Sequence, residues 1–282
     1  MAGVADNDLR LFDGDVLTVR QLSGWKEVGA SIAVQGEVQH VGTYGIQTGE
    51  KLSSVLKRAG GFTATAYPYG AVLERAQVRE FAEKNRQEMI HRIESGQSVK
   101  VSGDATGGEQ AVIVQAAMQQ QQQVLTSLRN QTPSGRLVIR ISSDIARWQN
   151  TAADIEVRPG DVLLIPKRPT FILISGQVYN SSAVSFSPGR SAGWYLQQAG
   201  GPTNLADKKS IFIIRADGSV VGRIGGGSGF WRGNVLGTRL EPGDSIVVPE
   251  KFISGSSTWK SLMTTAQFVS SMAIAARVAT SF

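Results

Sequence analysis

Residues 32–66, IAVQGEVQHVGTYGIQTGEKLSSVLKRAGGFTATA, and residues 172–206, ILISGQVYNSSAVSFSPGRSAGWYLQQAGGPTNLA, align without a gap at a constant offset of 140. Gly36 meets Gly176, Val38 meets Val178, Gly49 meets Gly189, and Ala59-Gly60-Gly61 meets Ala199-Gly200-Gly201. The register continues from Ala71–Arg75 to Ile211–Arg215. A chain that repeats a stretch of this length with its glycines in step folds as copies of one unit. A second element, VRPGDVLLIP at 157–166, LEPGDSIVVP at 240–249 and in part LFDGDVLTV at 11–19, closes each copy. Asp161 and Asp244 are 83 apart where the rest of the repeat is offset by 140, so the first unit carries 57 extra residues. They fall between Arg75 and the strand expected near Leu137–Ile141.

Each unit reads locally as α+β. Ile32–Val38 alternates apolar with polar or small residues around a glycine, as a strand with a bulge or close backbone approach does. A turn and a second strand follow, near Thr43–Ile46 and Ala183–Phe186. Leu52, Val55, Leu56 and Ala59, and likewise Ala192, Tyr195, Leu196 and Ala199, have the spacing of a short amphipathic helix. Gly60 and Gly200 stand where its C-cap needs a left-handed residue. Residues 211–215 and 219–224 predict a hairpin around Ala216-Asp217-Gly218. The insertion reads as two helices, one through Val78, Phe81, Met89 and Ile93, the other over 109–128 with the Gln119–Gln123 run on a solvated face.

Composition narrows the chemistry. There is no Cys and there are two His, which excludes a disulfide scaffold, a cysteine nucleophile and a three-His metal site. His40 and His91 fall in a turn and on a charged helix. Asp15, Asp161 and Asp244 recur in identical turns, which assigns them to capping backbone N–H groups. The Gly225–Gly229 run lacks the Lys-Ser/Thr of a phosphate-binding loop and reads as a loop between strands. No catalytic, cofactor-binding or metal site is expected, and the chain is not read as an enzyme. A net charge of +6 points to anionic partners. Between 201 and 240, six cations, among them Lys208, Lys209, Arg223 and Arg232, stand against Asp207 and Asp217. Beside Phe230 and Trp231 they are candidate contacts for an anionic glycan or a phosphate-rich lipid surface. No basic helix or stacking platform marks a nucleic-acid partner.

The residues Gly36-Glu37-Val38, Tyr44, Leu52, Ala59-Gly60-Gly61, Gly176-Gln177-Val178, Ala199-Gly200-Gly201 and the Pro-Gly-Asp strands resemble the soluble-ligand-binding β-grasp (SLBB) domains of bacterial outer-membrane polysaccharide-export proteins. The resemblance implies a sheet wrapped on a helix, with the bulk of the protein in the periplasm and a homo-oligomeric ring. It further implies a passive conduit for capsular or extracellular polysaccharide through the outer membrane, with an inner-membrane polysaccharide co-polymerase as partner. The expected organisation is 1–29 as the end of a preceding unit and linker, 30–168 as a first SLBB-like domain with its insertion at about 77–134, 169–252 as a second, and 253–282 as a terminal helix. On this reading the chain is the C-terminal portion of such an exporter. The alternative is a ligand-binding module that recognises a saccharide or small soluble molecule without a pore.

In that family a terminal helix crosses the outer membrane. Here Ser261–Ala276 is uncharged over 16 residues, about 24 Å as a helix, near the lower limit of a span. Trp259 suits an interfacial anchor. Leu262, Met263, Ala266, Val269, Ala273 and Ala276 form an apolar stripe, expected to face outer-membrane lipid. Lys260, Thr264, Gln267 and Ser271 lie on another face, expected to line a lumen. The bland alternative is a helix docked on its own domain.

Overall fold

The computed structural model describes residues 30–95, 107–222 and 234–251. The first unit contains β1 (Ser31–Gly36), β2 (Gly42–Gly45), α1 (Leu52–Arg58), β3 (Val72–Glu74), α2 (Ala76–Ser95), α3 (Gly107–Asn130), β4 (Arg136–Leu137), α4 (Ile145–Trp148) and β5 (Val162–Ile165). The second contains β6 (Phe171–Gly176), β7 (Ser182–Ser185), α5 (Ala192–Gln198), β8 (Phe212–Ile214), β9 (Val220–Gly222) and β10 (Ser245–Val248). The two sheets have one topology, β2-β1-β5-β3-β4 and β7-β6-β10-β8-β9. In each, the first strand and the Pro-Gly-Asp strand are parallel neighbours, Val34 beside Leu163 and Ile174 beside Ile246, and every other pair is antiparallel.

The alternation read in the sequence places one face of each sheet on its helix. Ile32, Val34, Leu73, Leu163 and Ile165 close over Leu52, Val55 and Leu56 of α1. Ile172, Ile174, Ile213, Ile246 and Val248 close over Tyr195 and Leu196 of α5. Burying each of these side chains contributes about 1.5–3 kcal/mol. The helices end as expected, on Gly60 and Gly200, each at φ +79°. They begin differently. Ser191 caps α5 with its own side chain, which accepts from Trp194 N at 3.4 Å. Lys51 offers α1 no side-chain cap. The buried carboxylate of Asp154 serves instead, accepting from Ser53 N at 3.0 Å and Ser53 Oγ at 2.8 Å.

The insertion takes the place of a hairpin turn. Arg215 N donates to Ser219 O at 2.8 Å to close the β8–β9 turn, and Arg75 N donates to Gly135 O at 3.0 Å at the matching place. Three residues lie between in the second unit; 76–134 lie between in the first. α2 and α3 bury Ile93, Val124 and Leu128 against one another. Gln119, Gln122 and Gln123 are exposed, as a solvated face requires, but Gln121 is half-buried and donates to Ile93 O at 3.0 Å. The strand expected over Leu137–Ile141 is pleated only at Arg136–Leu137; Ile139 and Ile141 are buried without ladder partners. Helix α4 was not anticipated. Asp144 caps it, accepting from Ala146 N at 3.1 Å.

Among the described residues no helix is long and apolar enough to cross a membrane. The segment 253–282, on which the terminal helix was expected, lies outside them, as does the partial unit at 1–29.

Candidate functional site

Two features organise the space between and within the units: a repeated ion pair and a seam. Asp161 turns back on its own loop and accepts from Arg158 N at 2.9 Å; Asp244 accepts from Glu241 N at 2.9 Å and Ala216 N at 3.0 Å. The capping role expected of both is what the turns contain. Each carboxylate also holds an arginine from the neighbouring strand. Arg75 grips Asp161 through Nε at 3.0 Å and Nη2 at 2.8 Å. Arg215 grips Asp244 through Nη1 at 2.6 Å and also donates to Arg239 O at 3.0 Å. Both carboxylates are fully buried. Burial holds the Asp244 carboxyl above its ordinary range, against the opposing pull of the Glu241 N–H and of Arg215. The pairs were not foreseen, yet the signal was present, because Arg75 and Arg215 occupy one place in the repeat and Asp161 and Asp244 another.

The seam joins the first unit's outer edge to the second unit's turns. Arg136 in β4 donates through Nη2 to Ala216 O at 2.6 Å, and Gly218 leaves room for its guanidinium. Burial disfavours the Arg136 charge, while Asp217 and Glu74 favour it; a guanidinium stays protonated regardless. Its buried Nε has no acceptor. Pro169 packs beside Gly243. Tyr67 is buried outside both cores and stacks edge-on to Tyr69 at 5.7 Å, with Arg168 lying 5.9 Å over its ring.

Burial, reinforced by Asp244 from the second unit, pushes the Tyr67 hydroxyl well above its usual value and Tyr69 from 10.0 up to about 12. The stability this contributes is fully present below the ordinary tyrosine value and is lost as pH rises through the raised one. In an alkaline titration followed by phenolate absorbance, Tyr67 and Tyr69 are therefore expected to ionise late. Replacing Arg136 with Ala loosens the seam and is expected to bring Tyr69 back toward the ordinary value of about 10.

A smaller polar lock sits beside the first parallel strand pair. Glu37 accepts from Thr63 Oγ1 at 2.5 Å and from Thr65, which together hold its carboxyl below the usual range. Its counterpart is a weaker neutral contact, Thr203 Oγ1 to Gln177 Oε1 at 3.2 Å. His40 and His91 are exposed. Among the described residues no group of His, Cys, Asp or Glu has the clustering of a metal site.

Of the predicted contact residues, Lys208 and Lys209 are exposed on the turn after α5, where the Asp207 carboxylate accepts from Lys209 N at 3.0 Å and Ser210 Oγ at 2.7 Å. Arg223, Arg232, Asp15, the lipid-stripe residues from Trp259 to Ala276 and the lumen-face residues Lys260, Thr264, Gln267 and Ser271 lie outside the described residues.

Comparison with known proteins agrees with the duplication. The SLBB domain family matches residues 31–90 and again residues 172–224. Both units are SLBB domains. Two curated relatives, each a polysialic acid transport protein KpsD of Escherichia coli, are 23% identical to the chain over 211 residues, covering 69% of it. The chain spans about a third of their length, 34%. The chain thus resembles a polysaccharide export protein built on SLBB domains. In the first SLBB domain the family match runs on to residue 90, past β3 and into α2, so the boundary of recognisable sequence falls within the insertion.

Proposed function

We propose that this chain is a component of an envelope channel that exports capsular or extracellular polysaccharide. The two SLBB domains form part of a ring in the periplasm, and residues 259–282 enter the outer membrane. The observation that carries this reading is the pairing of two SLBB matches in one chain with similarity to polysialic acid transport proteins over 69% of it. The conduit is passive: the buried Arg–Asp pairs and the seam give it rigid walls, and polymer synthesis elsewhere supplies the direction. The partners that follow are the polysaccharide, an inner-membrane polysaccharide co-polymerase, outer-membrane lipid and further copies of the chain.

The uncharged run at 261–276 and its two-sided pattern support membrane entry within a ring, where the polar face is hidden from lipid. Particle size tests the proposal. The full chain extracted in detergent is expected to form large cyclic particles visible by direct imaging, and removal of residues 259–282 is expected to abolish membrane extraction. A monodisperse monomer in plain buffer would overturn it.

A further inference from the structure

We infer that the face of the second SLBB domain carrying Lys208, Lys209 and Lys251 rests on a layer of anionic phospholipid headgroups; the inference depends on the membrane role proposed above. It starts from a strict backbone equivalence. Tyr67 N donates to Pro166 O and Arg168 N to Thr65 O in the first domain, at 2.8 and 3.2 Å. Asp207 N donates to Pro249 O and Lys251 N to Leu205 O in the second, at 2.8 and 2.7 Å. Pro68, Tyr69 and Arg168 are thus the counterparts of Lys208, Lys209 and Lys251.

The same face does different work in the two domains. In the first it lies at the seam: Tyr67 and Pro68 are buried, and Asp244 and Glu241 of the next domain act on the Tyr67 hydroxyl. In the second, all three lysines are exposed, and Leu205, where the first domain has Thr65, is 59% exposed. Pro68 and Tyr69 have been exchanged for lysines and Thr65 for a protruding leucine, while Lys251 keeps the exposed cation of Arg168 and Tyr67 gives way to Asp207. Two carboxylates share the face, Asp207 and Glu250. Both are half-buried, and Asp207 is engaged by its own turn, so the ammonium groups are the outermost charges. The path of the chain points the same way. Lys251 ends the described residues on this face, and 31 residues follow it, including the uncharged run 261–276. Lysines beside a membrane-entering segment gain from anionic headgroups, about 1 kcal/mol each, and a leucine at the rim enters the headgroup boundary readily.

Flotation of the full-length chain with vesicles is the test, using phosphatidylcholine alone and phosphatidylcholine containing a third phosphatidylglycerol. The anionic vesicles are expected to bind more tightly. Lys208→Gln/Lys209→Gln/Lys251→Gln is expected to lose that gain, on the order of a hundred-fold, while keeping wild-type binding to neutral vesicles. Lys51→Gln/Lys57→Gln/Lys84→Gln, an equal charge change on the first domain, is expected to keep it. If the first variant retains the gain, the inference fails and the membrane role stands. If it loses affinity for soluble polysialic acid instead, with vesicle binding unchanged, the face is a glycan site and the inference is overturned. If the wild type binds neither vesicle, the membrane role fails with it.

Discussion

Replacing Asp244 with Ala is expected to lower the unfolding free energy by about 3–5 kcal/mol, as removal of one partner from a buried pair does. The carboxylate is fully buried, and its loss strands three donors at once: Arg215 Nη1, Ala216 N and Glu241 N. Arg215 has an escape that moderates the effect, because its side chain is 17% exposed and keeps Arg239 O. The cost therefore belongs at the lower end of the range. Asp161→Ala in the first domain should behave alike, since Arg75 loses both of its bonds to that carboxylate. Replacing Arg215 and Asp244 together with Met and Leu is expected to recover much of the loss, because the penalty lies in the unpaired charge. Chemical denaturation of the three variants beside the wild type decides this.

The pH dependence has a definite sign. Burial raises the Asp244 carboxyl above its ordinary 3.8, so the folded state favours the protonated form. The associated stability is fully present below the ordinary value and is lost as pH rises through the raised one. The wild type's advantage over Asp244→Asn is expected to narrow as pH rises across that window. A widening gap would show that the Arg215 pair outweighs burial.

The second large effect comes from a single methyl group. A Cβ on Gly176 would lie 2.1 Å from Val248 O, and one on Gly36 2.1 Å from Ile165 O. Both glycines also sit at positive φ, +93° and +82°. Each terminates the first strand at the point where it pairs with the Pro-Gly-Asp strand, so neither neighbour is a side chain that can swing away. Gly176→Ala must therefore part the central parallel pair, at a cost of about 3 kcal/mol or more from strain and overpacking together. Gly49→Ala and Gly189→Ala separate the two causes. Their φ values are similar, +80° and +76°, but nothing lies within 4 Å of the added atom. These are expected to cost only the left-handed penalty of about 1–2 kcal/mol. Equal melting shifts in all four variants would refute the steric argument.

The repeat made most of the fold legible. Strands, helices, caps and the place of the insertion all followed from glycines and apolar spacings that recur, because local physics writes them twice. What recurs in register but far apart in the chain, such as Arg75 with Asp161, was visible only as two separate coincidences. The seam was less legible still, because it rests on departures from the repeat. Tyr67 and Tyr69 have no aromatic counterparts at Asp207 and Lys209, and only the docked structure shows that the departure is the contact. Helix α4 and the Asp154 cap belong to the first domain alone, so no second copy marked them. The two-residue β4 leaves too short a pleat for alternation to register.

The insertion's position follows from the seam. A β-turn bonded across its base can be enlarged freely only while its tip is uncovered. In the second domain the tip, Ala216-Asp217-Gly218, is the surface that Arg136 reaches, and Ala216 and Asp217 are buried. A long helical hairpin there would drive the two domains apart. Among the described turns of this type, only the one in the leading domain was free to grow. The helices therefore occupy the place where a domain stacked in the same way ahead of residue 30 would have to land. A preceding copy must meet them or dock by another route, so the face ahead of the first domain differs from the joint between the two.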